Sequence, residues 1–321
     1  MEAVKGKYKV TVRNNKLNYE FEIKRNITII QGDSATGKTT LINMLRQAEN
    51  LGDSSGVDVI SDVSCRVLEV INWELILQNT TRTIFFIDEE NAFLNTEEFA
   101  SKVRGSDNYF VLITRENLYN LPYSVDEIYG LHSSGKYQNT KRIYQQMYRI
   151  YSEIREFPIK PEMFIVEDSN SGYEFFKAIS DERHLECESA GEKSNIFSKV
   201  KSVENKEVCV IADGAAIGPE MNGLYEISQK KNIHLYLPES FEWIVLKSGM
   251  VDDREIREIL EVPENFIDSK IYFSWERYFT DLLIEKTKNS YLQYRKSAIN
   301  KTYLHSKNKE KILKCIEAIN W

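Results

Sequence analysis

Cysteine and proline are scarce in this chain of 321 residues: four Cys and six Pro. Cys65, Cys187, Cys209 and Cys315 lie far apart and make no metal-ligand spacing. That excludes a thiolate zinc site and fits reduced thiols in a cytoplasmic protein. With only six Pro and 14 Gly, long disordered stretches are not expected. No run of apolar residues is long enough for a membrane span, so no membrane partner is expected. The opening "MEAVKGKYKVTV" passes straight into an alternating strand pattern and lacks the apolar centre of a signal peptide. No internal repeat or low-complexity tract is evident. Net charge is −7, which disfavours a general nucleic-acid coat.

Hydrophobic residues, by contrast, make up 42% of the chain, enough for two cores. "YKVTVRNN" and "LNYEFEIKRN" alternate with period two around Asn14-Asn15, the pattern of a hairpin. "ITIIQ" is a continuous apolar run, as expected of a strand buried on both faces. Directly after it comes Gly32-Asp33-Ser34-Ala35-Thr36-Gly37-Lys38-Thr39-Thr40, then the helical "LINMLRQA". Strand, glycine loop and helix in that order are the setting of a phosphate-binding loop. The glycines let backbone N–H groups turn toward a phosphate, and the helix N-terminus adds its dipole. Lys38 would reach the β- and γ-phosphates of ATP, and Thr39 would hold Mg²⁺.

"TIFFIDEE" is the natural companion of that loop. Its apolar run carries Asp88 toward the metal and Glu89 toward the attacking water. "YFVLITRE" is a third buried strand, whose Thr114-Arg115 end is either a γ-phosphate sensor or an ordinary strand cap. "SVDEIYGLHSSGKYQNTKRIYQQ" reads as a strand, a Ser-Ser-Gly turn and a returning strand. On these residues the first part of the chain resembles a pared-down ABC-type ATPase. No Leu-Ser-Gly-Gly signature is present, and only about 45 residues separate Thr39 from the Asp88 strand.

Pro158 and Pro161 separate two strongly patterned regions, so the expected domains are 1–158 and 159–321. In the second, "MFIVEDSNSG", "EVCVIADGAA" and "IHLYLPESFEW" each carry a strand that ends in acids: Glu167 and Asp168, Asp213, then Glu239 and Glu242. In a parallel α/β sheet, ligand sites lie beyond the C-terminal strand ends. The acids are therefore candidates to hold Mg²⁺ or Mn²⁺ through oxygen and to serve phosphodiester chemistry. The alternative is that they merely cap strands. Strand-Glu followed by strand-Asp-Gly resembles the Toprim domain of topoisomerases, primases and nucleases. That resemblance implies a metal role for Glu167 and Asp213. It also implies an aspartate at 215, where this chain has Ala215, and a glycine where it has Asp168.

The fold expected is thus α/β, a P-loop NTPase (ABC-like) domain followed by a Toprim-like domain. ATPase followed by Toprim-like domain resembles the OLD family of ATP-dependent nucleases. This implies a gated nuclease acting on DNA or RNA in bacterial anti-phage defence, and a homo-oligomer or a complex with a partner effector. Between Lys286 and Lys314 nine Lys and Arg face one acid, Glu310, with Tyr291, Tyr294 and Tyr303 interleaved. This basic C-terminal helical segment is either a nucleic-acid surface or a solvated helix face. Lys296 within it is either a ligand for the scissile phosphate or a surface lysine. Two other readings remain: a catalytically dead, ATP-regulated binding module, which Ala215 favours, and a small-molecule phosphotransferase, for which no acceptor motif is seen.

Overall fold

The structure, a computed structural model, describes residues 5–32, 37–69, 71–133, 142–151 and 158–321. The chain forms two compact units, Met1–Ser152 with Val262–Phe273, and Glu153–Glu261 with Ser274–Trp321. A boundary at 158 assigns everything after it to one domain. Residues Val262–Phe273 group with the first unit, where the Phe273 carbonyl accepts from Asn26 Nδ2 and its ring lies under the Arg104 guanidinium.

The first unit runs β1 (Tyr8–Arg13), β2 (Leu17–Ile23), β3 (Ile27–Ile30), α1 (Lys38–Leu51), β4 (Asp58–Ile60), β5 (Ser64–Val67), α2 (Trp73–Asn79), β6 (Thr83–Ile87), α3 (Glu97–Val103), β7 (Tyr109–Ile113), β8 (Ile128–Ser133) and β9 (Ile143–Arg149). They build a mixed sheet in the order β4-β1-β2-β9-β8-β3-β7-β6-β5. β1 and β2 form the hairpin, with Asn14 Oδ1 accepting from the Lys16 and Leu17 N–H groups at 2.8 Å each. That local bond is what asparagine offers a turn. The turn between β8 and β9, with its expected Ser-Ser-Gly, lies outside the described residues.

β3, β6 and β7 are buried at every position, which is why they read as unbroken apolar runs. Successive side chains go to opposite faces. Phe86 therefore joins Leu41, Ile42 and Leu45 of α1, while Phe85 stacks on Phe110 at 6.0 Å. Phe110 in turn meets Phe99, and Trp73 stacks on Phe93 at 4.9 Å.

The second unit contains β10 (Met163–Val166), α4 (Ser171–Glu182), β11 (Glu186–Ser189), α5 (Lys193–Ser202), β12 (Val208–Ile211), α6 (Met221–Lys230), β13 (Ile233–Tyr236), α7 (Phe241–Lys247), α8 (Arg254–Glu261), α9 (Trp275–Thr287) and α10 (Ser306–Leu313). Its four strands are all parallel, in the order β11-β10-β12-β13. Helices α4, α5 and α6 make the crossovers that parallel pairing requires. The chain's end closes this unit: Ile319 bridges Ile159, and the Trp321 ring stacks on Phe164 at 5.3 Å. Among the described residues no helix is long and apolar enough to cross a membrane.

Candidate functional site

Two clusters of sequence-selected residues exist, one in each unit. In the first, β3, β7 and β6 are parallel neighbours, so Gly32, Thr114 and Asp88 all follow strand C-termini on one edge of the sheet. Two strand spacings, roughly 10 Å, separate the β3 and β6 ends. Gly32 and Gly37 have φ of +127° and +91°, the left-handed region that favours glycine. A Cβ on Gly37 would lie 2.8 Å from the Tyr19 hydroxyl, which itself donates to the Gly37 carbonyl at 2.9 Å. Lys38, in the first turn of α1 and only 6% exposed, donates to the Gly32 carbonyl at 2.5 Å. Thr39 and Thr40 are exposed at the same helix end. Asp33, Ser34, Ala35 and Thr36 lie outside the described residues.

Asp88 Oδ1 accepts from the Glu89 N–H at 2.8 Å, and the Asn91 N–H donates to the Asp88 carbonyl at 3.1 Å, which closes a tight turn after β6. Glu89 is exposed and lies 3.5 Å from Arg115 Nε. The Thr114 hydroxyl accepts from the Glu116 N–H at 3.0 Å, so it is engaged in its own turn.

In the second unit the C-terminal ends of β10, β12 and β13 bring acids together. Glu167 Oε2 accepts from the Asp213 N–H at 2.8 Å. Asp168 Oδ1 accepts from Tyr173 N at 3.2 Å, at the start of α4. Glu242, in the first turn of α7 and 2% exposed, accepts from the Tyr294 hydroxyl at 2.8 Å. Glu167, Asp168 and Asp213 line a cavity of about 20 Å³, closed by Gly172, Phe176, Pro238 and Phe241. That is room for roughly one water.

Two residues not singled out from the sequence complete this cluster. Glu276, in the first turn of α9, pairs with Lys296 at 2.5 Å. Lys193, at the start of α5, acts electrostatically on Glu167 and reaches the Ala216 carbonyl at 3.4 Å. Both lie in unremarkable polar helix starts, and no local pattern distinguishes them. Lys296 faces this acidic cluster instead of open solvent, because Ser171 N and Oγ hold the Lys296 and Arg295 carbonyls at 3.0 and 2.6 Å.

Burial raises the Glu167 carboxyl to about 7; Glu276 and Asp168 push it further up, while the Asp213 N–H and Lys193 pull it down. Burial likewise lifts Asp213 well above the ordinary carboxylate range, with Glu276, Glu167 and Glu242 adding to it. Burial also raises Asp168, against the pull of Lys296. For Lys296 burial opposes the charge, but Glu242, Glu276 and Asp213 outweigh it and hold the ammonium above the usual lysine value.

The interleaved tyrosines do not form a nucleic-acid face. Tyr294 and Tyr303 are 2% and 0% exposed, and Tyr303 donates to the Leu292 carbonyl at 2.7 Å. Of the three, only Tyr291 is exposed. Nor is the stretch one helix: it turns from the end of α9 to α10, with Asn289 at φ +58°. Its Lys286 is tied to Asp253 and Glu255, at 2.7 and 2.6 Å.

Oxygen donors of this type suit Mg²⁺ or Mn²⁺. Yet among the described residues no three Asp, Glu, His or Cys side chains are arranged to hold a metal ion. No protein-family model matches the chain, and no curated protein matches it.

Proposed function

We propose that the chain is an ATP-binding and ATP-hydrolysing protein whose nucleotide state governs an acidic, nucleic-acid-processing site in its second unit. The observation that carries the first half is the glycine loop itself. Gly32 and Gly37 adopt backbone conformations that other residues resist, and the Lys38 ammonium donates to the Gly32 carbonyl. Such a loop fits a phosphate chain: loop N–H groups, Lys38 and the α1 N-terminus would cradle it. Thr39 and Asp88 would hold the accompanying Mg²⁺. Glu89 would orient water, with the Arg115 guanidinium 3.5 Å from its carboxylate.

For the second half, support comes from Glu167 and Asp213 meeting at adjacent strand ends beside a small cavity. Burial first, and the neighbouring carboxylates second, raise their proton affinity, and a bound cation would favour the ionised forms. Glu167 and Asp213 are the residues that would hold Mg²⁺ or Mn²⁺, with Asp168 or Glu242 as the substitute for the acid absent at 215. An ion bound there would polarise water or a phosphodiester oxygen. Lys296 would meet the phosphate. On the family resemblance, we place this activity in bacterial anti-phage defence, with DNA or RNA as substrate and a homo-oligomer or partner effector as the assembly.

A second reading has its own observation. Position 215 is a buried alanine, and Lys296 already pairs with Glu276 inside the cluster. An internal ammonium can satisfy carboxylates without metal, leaving a binding module regulated by ATP.

The deciding experiment incubates the protein with Mg²⁺ or Mn²⁺, ATP and mixed DNA and RNA. The expected outcome is slow ATP turnover and nucleic-acid cleavage. Lys38→Ala should weaken ATP binding at least tenfold, the scale of one lost charged contact. Glu89→Gln should keep binding and lose turnover. Cleavage unchanged by Asp213→Ala would refute the nuclease assignment, and no cleavage alongside ATP binding would favour the binding module.

A further inference from the structure

The chain leaves the second unit after Glu261, contributes Val262–Phe273 to the first, and returns at Ser274. The first unit grips this segment firmly. Asn26 Nδ2 donates to the Phe273 carbonyl at 2.9 Å, and the Arg104 guanidinium lies 5.6 Å over the Phe273 ring. Gly6 N donates to the Glu264 carbonyl at 2.7 Å. Asn26 is the residue that precedes β3, and its own carbonyl accepts from Phe110 N of β7 at 2.7 Å. Four fully buried residues, roughly 13 Å of strand, then lead to Gln31 and the phosphate loop.

On the other side, Glu276 follows Phe273 by three residues in the covalent chain. Ser274 is the N-cap of α9, and Glu276 in its first turn holds Lys296. Glu276 is also the charge that most raises both Glu167 and Asp213 after burial itself.

We propose that Val262–Phe273 is a tether through which the nucleotide state of the first unit sets the position of Glu276, and with it Lys296, in the acidic cluster of the second. This rests on the ATP reading above. Coupling requires a contact that differs between nucleotide states. Lys38 supplies one: its ammonium donates to the Gly32 carbonyl, at the far end of the strand that Asn26 begins, and would be drawn toward a bound phosphate. Glu276 is therefore a positioning residue that acts through Lys296.

Amide hydrogen exchange on the full chain tests this, read at the first turns of α9 and at β10 and β12, with calorimetry of Mg·ATP binding alongside. Asn26→Ala removes the donor to Phe273. Without nucleotide, it should speed exchange at residues 274–280 about fivefold, the effect of one hydrogen bond on a local opening, and leave β10 and β12 unchanged. Mg·ATP should shift exchange at 274–280 in the wild type and not in Asn26→Ala or Lys38→Ala, although Asn26→Ala binds nucleotide normally. Unchanged exchange in nucleotide-free Asn26→Ala overturns the tether. Bound nucleotide with no shift at 274–280 in the wild type overturns the coupling while leaving the ATP reading intact. No heat of binding at all overturns the ATP reading and, with it, the coupling, but not the mechanical grip measured without nucleotide.

Discussion

Tyr294 illustrates how a side chain's surroundings decide its role. It sits among lysines in the sequence, yet it is buried and donates to Glu242 at 2.8 Å. Removing the hydroxyl leaves a buried carboxylate oxygen without its donor. Tyr294→Phe should therefore cost about 1–3 kcal/mol, measured by denaturant unfolding of the second unit; a change below 0.5 kcal/mol would mean that water replaces the phenol. Glu127 in the first unit makes a pH prediction. Its side chain is 0% exposed, 3.5 Å from Arg25 Nε and 3.7 Å from Lys24 Nζ. Burial nevertheless outweighs those cations and raises its proton affinity. Between the ordinary glutamate value and the higher folded one, the folded state binds more protons than the unfolded. Stability contributed by this group is thus full at acid pH and lost as pH rises through that window. The wild type should lose stability relative to Glu127→Gln as pH rises above the ordinary glutamate range in parallel melts. A difference that is flat or runs the other way would show that the ion pairs win.

At the level of elements, the second unit depends on β12 and β13 staying paired past their strand ends. Gly214 N donates to the Pro238 carbonyl at 2.5 Å, next to Asp213. A Cβ on Gly214 would lie 2.8 Å from the Pro238 carbonyl oxygen and closer still to that of Leu237. Backbone is on the receiving side, so nothing flexible can yield. Gly214→Ala should destabilise the second unit by roughly 1–3 kcal/mol and move Asp213 away from Glu167. ATP binding by the first unit should be unaffected. Calorimetric titration with Mg·ATP and a thermal melt check both halves, and an unchanged melt would contradict the close approach. The strands themselves were readable because parallel pairing buries both faces, which leaves long apolar runs such as "TIFFI" and "VCVI". β11, "ECES", escaped because it is a short edge strand with only one buried position.

For the whole molecule, the consequential feature is that Val262–Phe273 crosses back to the first unit. Burying the Phe273 ring beside Arg104 contributes about 1.5–3 kcal/mol. That is a large share of a domain's stability of about 5–15 kcal/mol. A fragment ending at residue 152 should melt roughly 10 °C below one that carries residues 262–273 on a flexible linker. Equal melting temperatures would mean that the segment only decorates the surface.

Local sequence was enough for the α/β class, the hairpin at Asn14, the glycine loop and the acids that end β10 and β12. Each rests on a property of consecutive residues: period-two alternation, unbroken apolar runs, or glycines before a helix. What neighbours could not decide is how distant helix starts converge. Glu276 and Lys193 sit in unremarkable first turns, and only packing brings them to Glu167 and Asp213. The same holds for Lys296, turned toward acids by Ser171, and for Tyr294 and Tyr303, whose burial removes them from the basic surface. The assignment of residues 262–273 to the first unit is likewise a matter of long-range burial, since apolar side chains record that they need a core but not which one.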